Sequence, residues 1–196
     1  KVIEKNLELV LSELKSDKVV LCDLFSGSGI VARKLKQYAS QLYANDLEGY
    51  SYTINNCYLT NPEDFNEKRY QEYYDYITSR PLIEGVITQN YAPKDDNNIK
   101  VGERVFYTHH KLIIWKGLII GWGPYDDDDI PEEYRKFFLA PLLYESSVHT
   151  NTSGVFKGFY KSKDNIGKFC GDAENALSRI TREITLNRPV LSNFSV

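Results

Sequence analysis

Asp23-Leu24-Phe25-Ser26-Gly27-Ser28-Gly29 is the stretch that decides the fold of this chain. It follows a short apolar run, Lys18-Val19-Val20-Leu21-Cys22, which reads as a β-strand. The two glycines permit a tight turn and a close backbone approach to a ligand. Ile30 to Tyr38 then reads as a helix whose first amides face back toward the turn. Strand, glycine turn and helix together describe a nucleotide-type cofactor cradle on a parallel sheet.

Gln41-Leu42-Tyr43-Ala44-Asn45-Asp46 reads as a second strand ending in an acid, nineteen residues after Gly27. That is close to the roughly 20-residue offset at which a βαβ unit places a carboxylate over ribose hydroxyls. A carboxylate accepts two hydrogen bonds from a vicinal diol, so Asp46 suits the task. The strand before the turn also ends in an acid. Asp23 would set its negative charge beside the phosphates of a dinucleotide, which disfavours NAD and suits a cofactor with a cationic or zwitterionic end. S-adenosylmethionine has a sulfonium, an amino acid head and a ribose. Asp23 is expected to receive its ammonium and Asp46 its ribose.

With these residues the chain resembles the S-adenosylmethionine-dependent adenine-N6 DNA methyltransferases that are paired with restriction enzymes. Asp23 to Gly29 is similar to their F-x-G-x-G motif, and Tyr43 to Glu48 to their second-strand motif. Asn90–Asn98, Gly102–Thr108, Phe137–Leu143, His149–Tyr160 and Asn175–Asn193 resemble the family further along, so the likeness covers most of the chain.

The resemblance implies an α/β, Rossmann-like methyltransferase fold with a partial sheet and a largely helical insertion. Residues 1–60 and 170–196 are expected to form the cofactor-binding core, and 61–169 the insertion, a candidate target-recognition region. It implies S-adenosylmethionine as cofactor, held by Asp23, Leu24, Phe25, Ser26, Gly27, Gly29, Asp46 and Leu47. It implies double-stranded DNA as partner, with His149, Asn151, Ser153, Lys157 and Lys161 as candidate substrate or DNA contacts. On their residue types alone, His149, Asn151 and Ser153 read first as local turn stabilisers.

One family element is missing. Those enzymes hold the target amine with a D-P-P-Y or N-P-P-Y tetrad, and the chain contains none. The exocyclic amine of adenine is a poor nucleophile, and acceptors beside the prolines orient it while an aromatic stacks on the flipped base. No catalytic residue is therefore assigned in this chain. The first residue is Lys and Met is absent, so an N-terminal portion of a longer enzyme is expected, with the tetrad in a later part or a second chain. A non-catalytic DNA-recognition or assembly subunit that kept the fold is the competing expectation. The cofactor motif itself leaves RNA or small-molecule acceptors open.

Composition narrows the field. At 196 residues the chain suits one α/β domain with an insertion. A net charge of −3 excludes a wholly basic polyanion-binding block. DNA contact is then expected from a local patch, such as Gly154 to Lys168, where Lys157, Lys161, Lys163 and Lys168 alternate with aromatics. Cys22, Cys57 and Cys170 show no metal-ligand spacing, so no metal is expected, and Cys22 is expected to be a buried small hydrophobe. A cytoplasmic protein is the compositional expectation, with no membrane-length apolar run.

Helices are expected from the apolar spacing of Val2 to Leu14, and over Glu48–Leu59, Phe65–Ile77 and Asp172–Ile184. Tyr70, Tyr73, Tyr74 and Tyr76 are expected to pack rather than stack on bases. His109 and His110 read as ordinary surface residues. The apolar run Lys111 to Pro124 reads as strand where the family has a polar helix. Asp126 to Asp129 reads as a solvated loop or a cap for a helix beginning at Pro131.

Overall fold

The computed structural model describes residues 2–79, 82–109, 113–115, 130–152, 158–170 and 175–196. They form two compact units. The first comprises Lys1–Tyr70, Lys136–Ala140 and Arg188–Val196, and the second Gln71–Arg135 and Pro141–Asn187.

The first unit opens with helix α1 (Val2–Leu14), which buries Leu7 and Leu11. Strand β1 (Val19–Asp23) and strand β2 (Ala39–Ala44) pair in parallel, from Val19 opposite Ala39 to Asp23 opposite Ala44. Parallel neighbours need a crossover. Helix α2 (Ile30–Leu35) supplies it, tightening into a 3-10 turn over Lys36–Tyr38. Ala32, Lys36 and Ala39 are fully buried along this connection. A second helix, α3 (Gly49–Tyr58), follows β2 and buries Ser51, Ile54, Asn55 and Cys57. This small parallel sheet flanked by helices is what a partial Rossmann-like fold contains.

The expectation for Cys22 is corrected. Alternation along β1 sends Val19, Leu21 and Asp23 to the half-buried face and Val20 and Cys22 to the exposed one. Cys57 is the buried thiol of this unit, and desolvation pushes its pKa up to about 12.

A 3-10 turn at Pro62–Asp64 leads into helix α4 (Glu67–Ser79), which starts two residues later than the spacing suggests. Phe65, Tyr70, Phe137 and Phe138 form an aromatic cluster, with Tyr70 stacked on Phe138 at 4.9 Å between centroids. The segment Arg188–Val196 has no regular secondary structure. The Asn61 amide clasps both the carbonyl and the N–H of Val196, at 3.0 and 3.1 Å, and Arg188 pairs with Glu67.

The second unit carries a short antiparallel pair, β3 (Leu82–Glu84) with β4 (Ile113–Trp115). Helix α5 (Val86–Tyr91), the two ends of the long helix α6 (Glu132–Val148), whose Lys136–Ala140 is counted with the first unit, and the short α7 (Ala176–Thr181) complete it. Tyr73 packs on Tyr134. The unit is therefore helical with a strand pair. Ile113–Trp115 is strand, as read from its apolar run; the rest of that run, His110 and Asp126–Asp129 lie outside the described residues. Pro131 stands at the N-cap of α6. Of the helix expected over Asp172–Ile184, Ala176–Thr181 is helical. Among the described residues no helix is long and apolar enough to cross a membrane.

Candidate functional site

The turn that joins β1 to α2 is held by backbone bonds to the residues just beyond β2. Asn45 N–H donates to the Asp23 carbonyl at 2.8 Å, and Ser26 N–H to the Asn45 carbonyl at 2.9 Å. The Asn45 side chain closes the frame by donating to the Leu24 carbonyl at 3.0 Å. Gly29 N–H then turns back onto the Ser26 carbonyl at 2.7 Å. Gly27 and Gly29 both adopt positive φ, +49° and +69°, where an L side chain is strained.

Asp46 lies beyond the end of β2 and reaches into this frame. Its Oδ2 accepts from Gly27 N–H at 2.8 Å and its Oδ1 from Glu48 N–H at 3.0 Å. The amides of Glu48, Gly27 and Leu47, in that order, hold its carboxyl below the usual carboxylate range against a smaller opposing effect of burial. With three amide donors against about four lone-pair sites, the carboxylate keeps capacity to accept a ligand hydroxyl.

Two residues of α3 support the turn from behind, and the motif-based reading missed both. Ser51 Oγ donates to the Gly27 carbonyl at 2.6 Å. Asn55 Nδ2 lies 3.0 Å from Ser26 Oγ, 2.9 Å from the Ser51 carbonyl and 3.1 Å from Ser51 Oγ. Ser26, Ser51 and Asn55 are all buried. The sequence does hold a signal for them: two small polar residues four apart, on the same stripe as Ile54, where a crossover helix ought to be apolar.

The residues present fit a cofactor with a cationic head, a diol and an apolar ring. Asp23 Oδ2 is buried and has no hydrogen-bond partner among the described residues. A Cβ built on Gly27 would meet nothing within 4 Å among the described residues, so the turn is open to them on that side. Phe25 and Leu47 flank it with 89% and 97% of their surface exposed. Leu24 is exposed as well.

The candidate DNA or substrate residues belong to the second unit. His149 is buried, with Nδ1 2.7 Å from the Arg179 carbonyl and Nε2 3.0 Å from Glu145 Oε2. Asn151 is fully buried; its Nδ2 donates to the carbonyls of Val105 and Lys168, and its Oδ1 accepts from Cys170 N–H. Both side chains thus tie together segments of the unit that are distant in sequence. Lys161 is exposed on a small hairpin, where it bridges to Gly167. Ser153 and Lys157 lie outside the described residues. His109 departs from a plain surface role. Its ring bonds the Pro93 carbonyl at 3.0 Å and Glu84 at 2.9 Å.

Comparison with known proteins agrees with this architecture. Residues 4–168 match the profile of a family described as D12 class N6 adenine-specific DNA methyltransferase. The chain is 31% identical over 169 residues to the type II methyltransferase M.NlaIII of Neisseria lactamica, covering 82% of this chain and 46% of that protein. It is 27% identical over 139 residues to the type II methyltransferase M.CviAII of Paramecium bursaria Chlorella virus 1, covering 71% of this chain and 40% of that one. The chain thus spans about half the length of the relatives it matches. No solved structure matches it significantly.

Proposed function

From the premise that the chain belongs to the D12 class N6 adenine-specific DNA methyltransferase family, we propose that its first unit binds S-adenosylmethionine at the Asp23–Gly29 turn. In this proposal it is the donor-binding part of a site-specific adenine-N6 DNA methyltransferase. The observation that carries it is the closed frame between Asp46 and Gly27, which sets an ionised carboxylate directly beside an open glycine turn.

Each residue then has a task. Asp46 accepts a ribose hydroxyl with its remaining capacity. Asp23, whose buried oxygen has no donor among the described residues, takes the ammonium of the methionine head. Leu47 and Phe25 offer exposed apolar surface to the adenine ring. When bound, S-adenosylmethionine supplies an electrophilic methyl group on its sulfonium. The chain's contribution is orientation, which in well-aligned reactions accounts for about 7–11 kcal/mol of barrier reduction. With no D-P-P-Y or N-P-P-Y tetrad among these 196 residues, the groups that hold the receiving amine are assigned to a further part of the enzyme or a second chain.

DNA is the proposed methyl acceptor and partner. Supporting this is the hairpin of the second unit, where Ser162 N–H bonds the Ile166 carbonyl and Lys168 N–H the Tyr160 carbonyl, at 2.7 and 2.9 Å. It exposes Lys161, Lys163 and Lys168. Flexible ammonium groups of this kind contact phosphates without reading sequence.

Isothermal titration calorimetry with S-adenosylmethionine and NAD tests the donor assignment. Binding of the first and not the second is expected, and Asp46→Ala should weaken it by at least tenfold. Equal affinity of wild type and Asp46→Ala, or preference for NAD, removes the assignment.

A further inference from the structure

Behind the glycine turn lies a hydrogen-bonded pair whose polarity the sheet-and-helix architecture does not require. Ser51 and Asn55 occupy the inward stripe of α3, a position that apolar residues fill more cheaply. Every donor of the pair that the geometry defines is spent on the turn or on the pair itself. Ser51 Oγ bonds the Gly27 carbonyl, and Asn55 Nδ2 bonds Ser26 Oγ and the Ser51 carbonyl. Asn55 Oδ1, by contrast, is buried with no hydrogen-bond partner among the described residues. It lies 2.3 Å from where a Cβ on Gly29 would stand. A buried acceptor left without a donor is costly and offsets part of what the bonds of Asn55 Nδ2 contribute.

We propose that Ser51 and Asn55 are positioning residues for the methyl donor: they fix the shape of the Ser26–Gly29 turn and thereby set cofactor affinity without touching the cofactor. Three features separate this from ordinary packing. The pair grips both ends of the Ser26–Gly27 peptide segment, one through a carbonyl and one through a hydroxyl. Gly27 N–H is gripped from the opposite side by Asp46. The Asn55 amide also stands so close to position 29 that any side chain larger than glycine's would force it to move. The turn is therefore over-determined from the helix side, with its open side at Gly27 left for the ligand. Glycine moves readily between backbone conformations, so a turn built on Gly27 and Gly29 keeps one shape only through the groups that hold it.

This inference rests on the proposal that the turn binds S-adenosylmethionine, and the test separates the two. Calorimetric titration with S-adenosylmethionine is run on the wild type, Ser51→Ala, Asn55→Ala, Asn55→Asp and Lys36→Met, each with a urea melt. Asn55→Asp keeps the shape and removes the donors. Lys36→Met weakens the far end of the same helix, where Lys36 Nζ bonds the carbonyls of Leu59 and Thr60, and leaves the turn alone. Ser51→Ala and both Asn55 variants should bind about tenfold more weakly than the wild type, roughly the value of one buried hydrogen bond. Lys36→Met should bind at the wild-type affinity even where its urea midpoint has fallen as far as theirs. Wild-type affinity in Asn55→Asp, or a loss in Lys36→Met that tracks stability, overturns the positioning role and leaves the donor site standing. No binding by the wild type overturns the donor site and the positioning role with it.

Discussion

Gly27 and Gly29 share a backbone conformation and differ in what surrounds them, so their alanine variants make a matched pair. Both have positive φ, and an L residue there costs about 1 kcal/mol. At Gly27 the new methyl group meets nothing within 4 Å among the described residues, so strain is the expected folding cost. At Gly29 it would stand 2.3 Å from Asn55 Oδ1. Asn55 must move, and its bonds to Ser26 Oγ and the Ser51 carbonyl are lost with it. At about 1 kcal/mol each these add about 2 kcal/mol, so Gly29→Ala should cost about 3 kcal/mol in all. Urea denaturation followed by circular dichroism reads the difference directly. Binding should fail in the opposite sense. The open side of Gly27 is the proposed ligand side, so Gly27→Ala should lose most of its S-adenosylmethionine affinity while staying nearly as stable as the wild type. Equal destabilisation by the two variants would refute the assignment of Asn55 as the wall behind Gly29. Undiminished affinity in Gly27→Ala would refute the open side as the ligand side.

Lys36 is fully buried yet cationic, and its ammonium satisfies two carbonyls at the end of α3. Lys36→Met should cost about 2 kcal/mol by urea melt, the worth of one to two charge-assisted bonds less the relief of desolvation. Desolvation lowers the Lys36 pKa, only partly offset by Glu63 and Asp64, so the folded state releases this proton before the unfolded state does. The wild type should therefore gain stability relative to the Met variant as pH rises toward 10.5. His109 has the opposite sign. Partial burial pulls its pKa down, but the bond to Glu84, with help from the Pro93 carbonyl and Asp96, outweighs this and holds it above 6.5. Its contribution to the second unit is complete below that value and fades as pH rises through the raised pKa. The stability gap between wild type and His109→Gln should accordingly shrink between pH 6 and 8; a constant gap would exclude the charged imidazole. Joint replacement of Lys161, Lys163 and Lys168 by Ala should lower the salt dependence of duplex DNA binding by up to about 0.9 for each phosphate no longer neutralised. An unaltered slope in fluorescence anisotropy would take the hairpin out of the interface.

The cofactor half of the fold was legible because its information is local. A strand, two glycines and an acid near the expected spacing specify a βαβ turn, and β1 and β2 follow within one or two residues of that reading while α2 begins at the expected Ile30. Boundaries drifted where tertiary packing chose them: α2 gives way to a 3-10 turn at Lys36, whose side chain is drawn into the interior by the end of α3. Cys22 illustrates another limit. An apolar strand shows its alternation in sequence, but which face is covered depends on helices placed elsewhere in the chain.

By itself, then, the sequence determined the glycine turn, the acid paired with it and the family they belong to. The reason is that positive-φ backbone and carboxylate chemistry each tolerate few residue types. Only the tertiary structure decided that Asp46 bonds the turn's own amide, and that Ser51 and Asn55 brace it from a helix more than twenty residues away. It alone directed His149 and Asn151 inward. Hydrogen bonds between segments distant in sequence leave no periodic trace, because a buried serine or asparagine is written in the same letters as an exposed one.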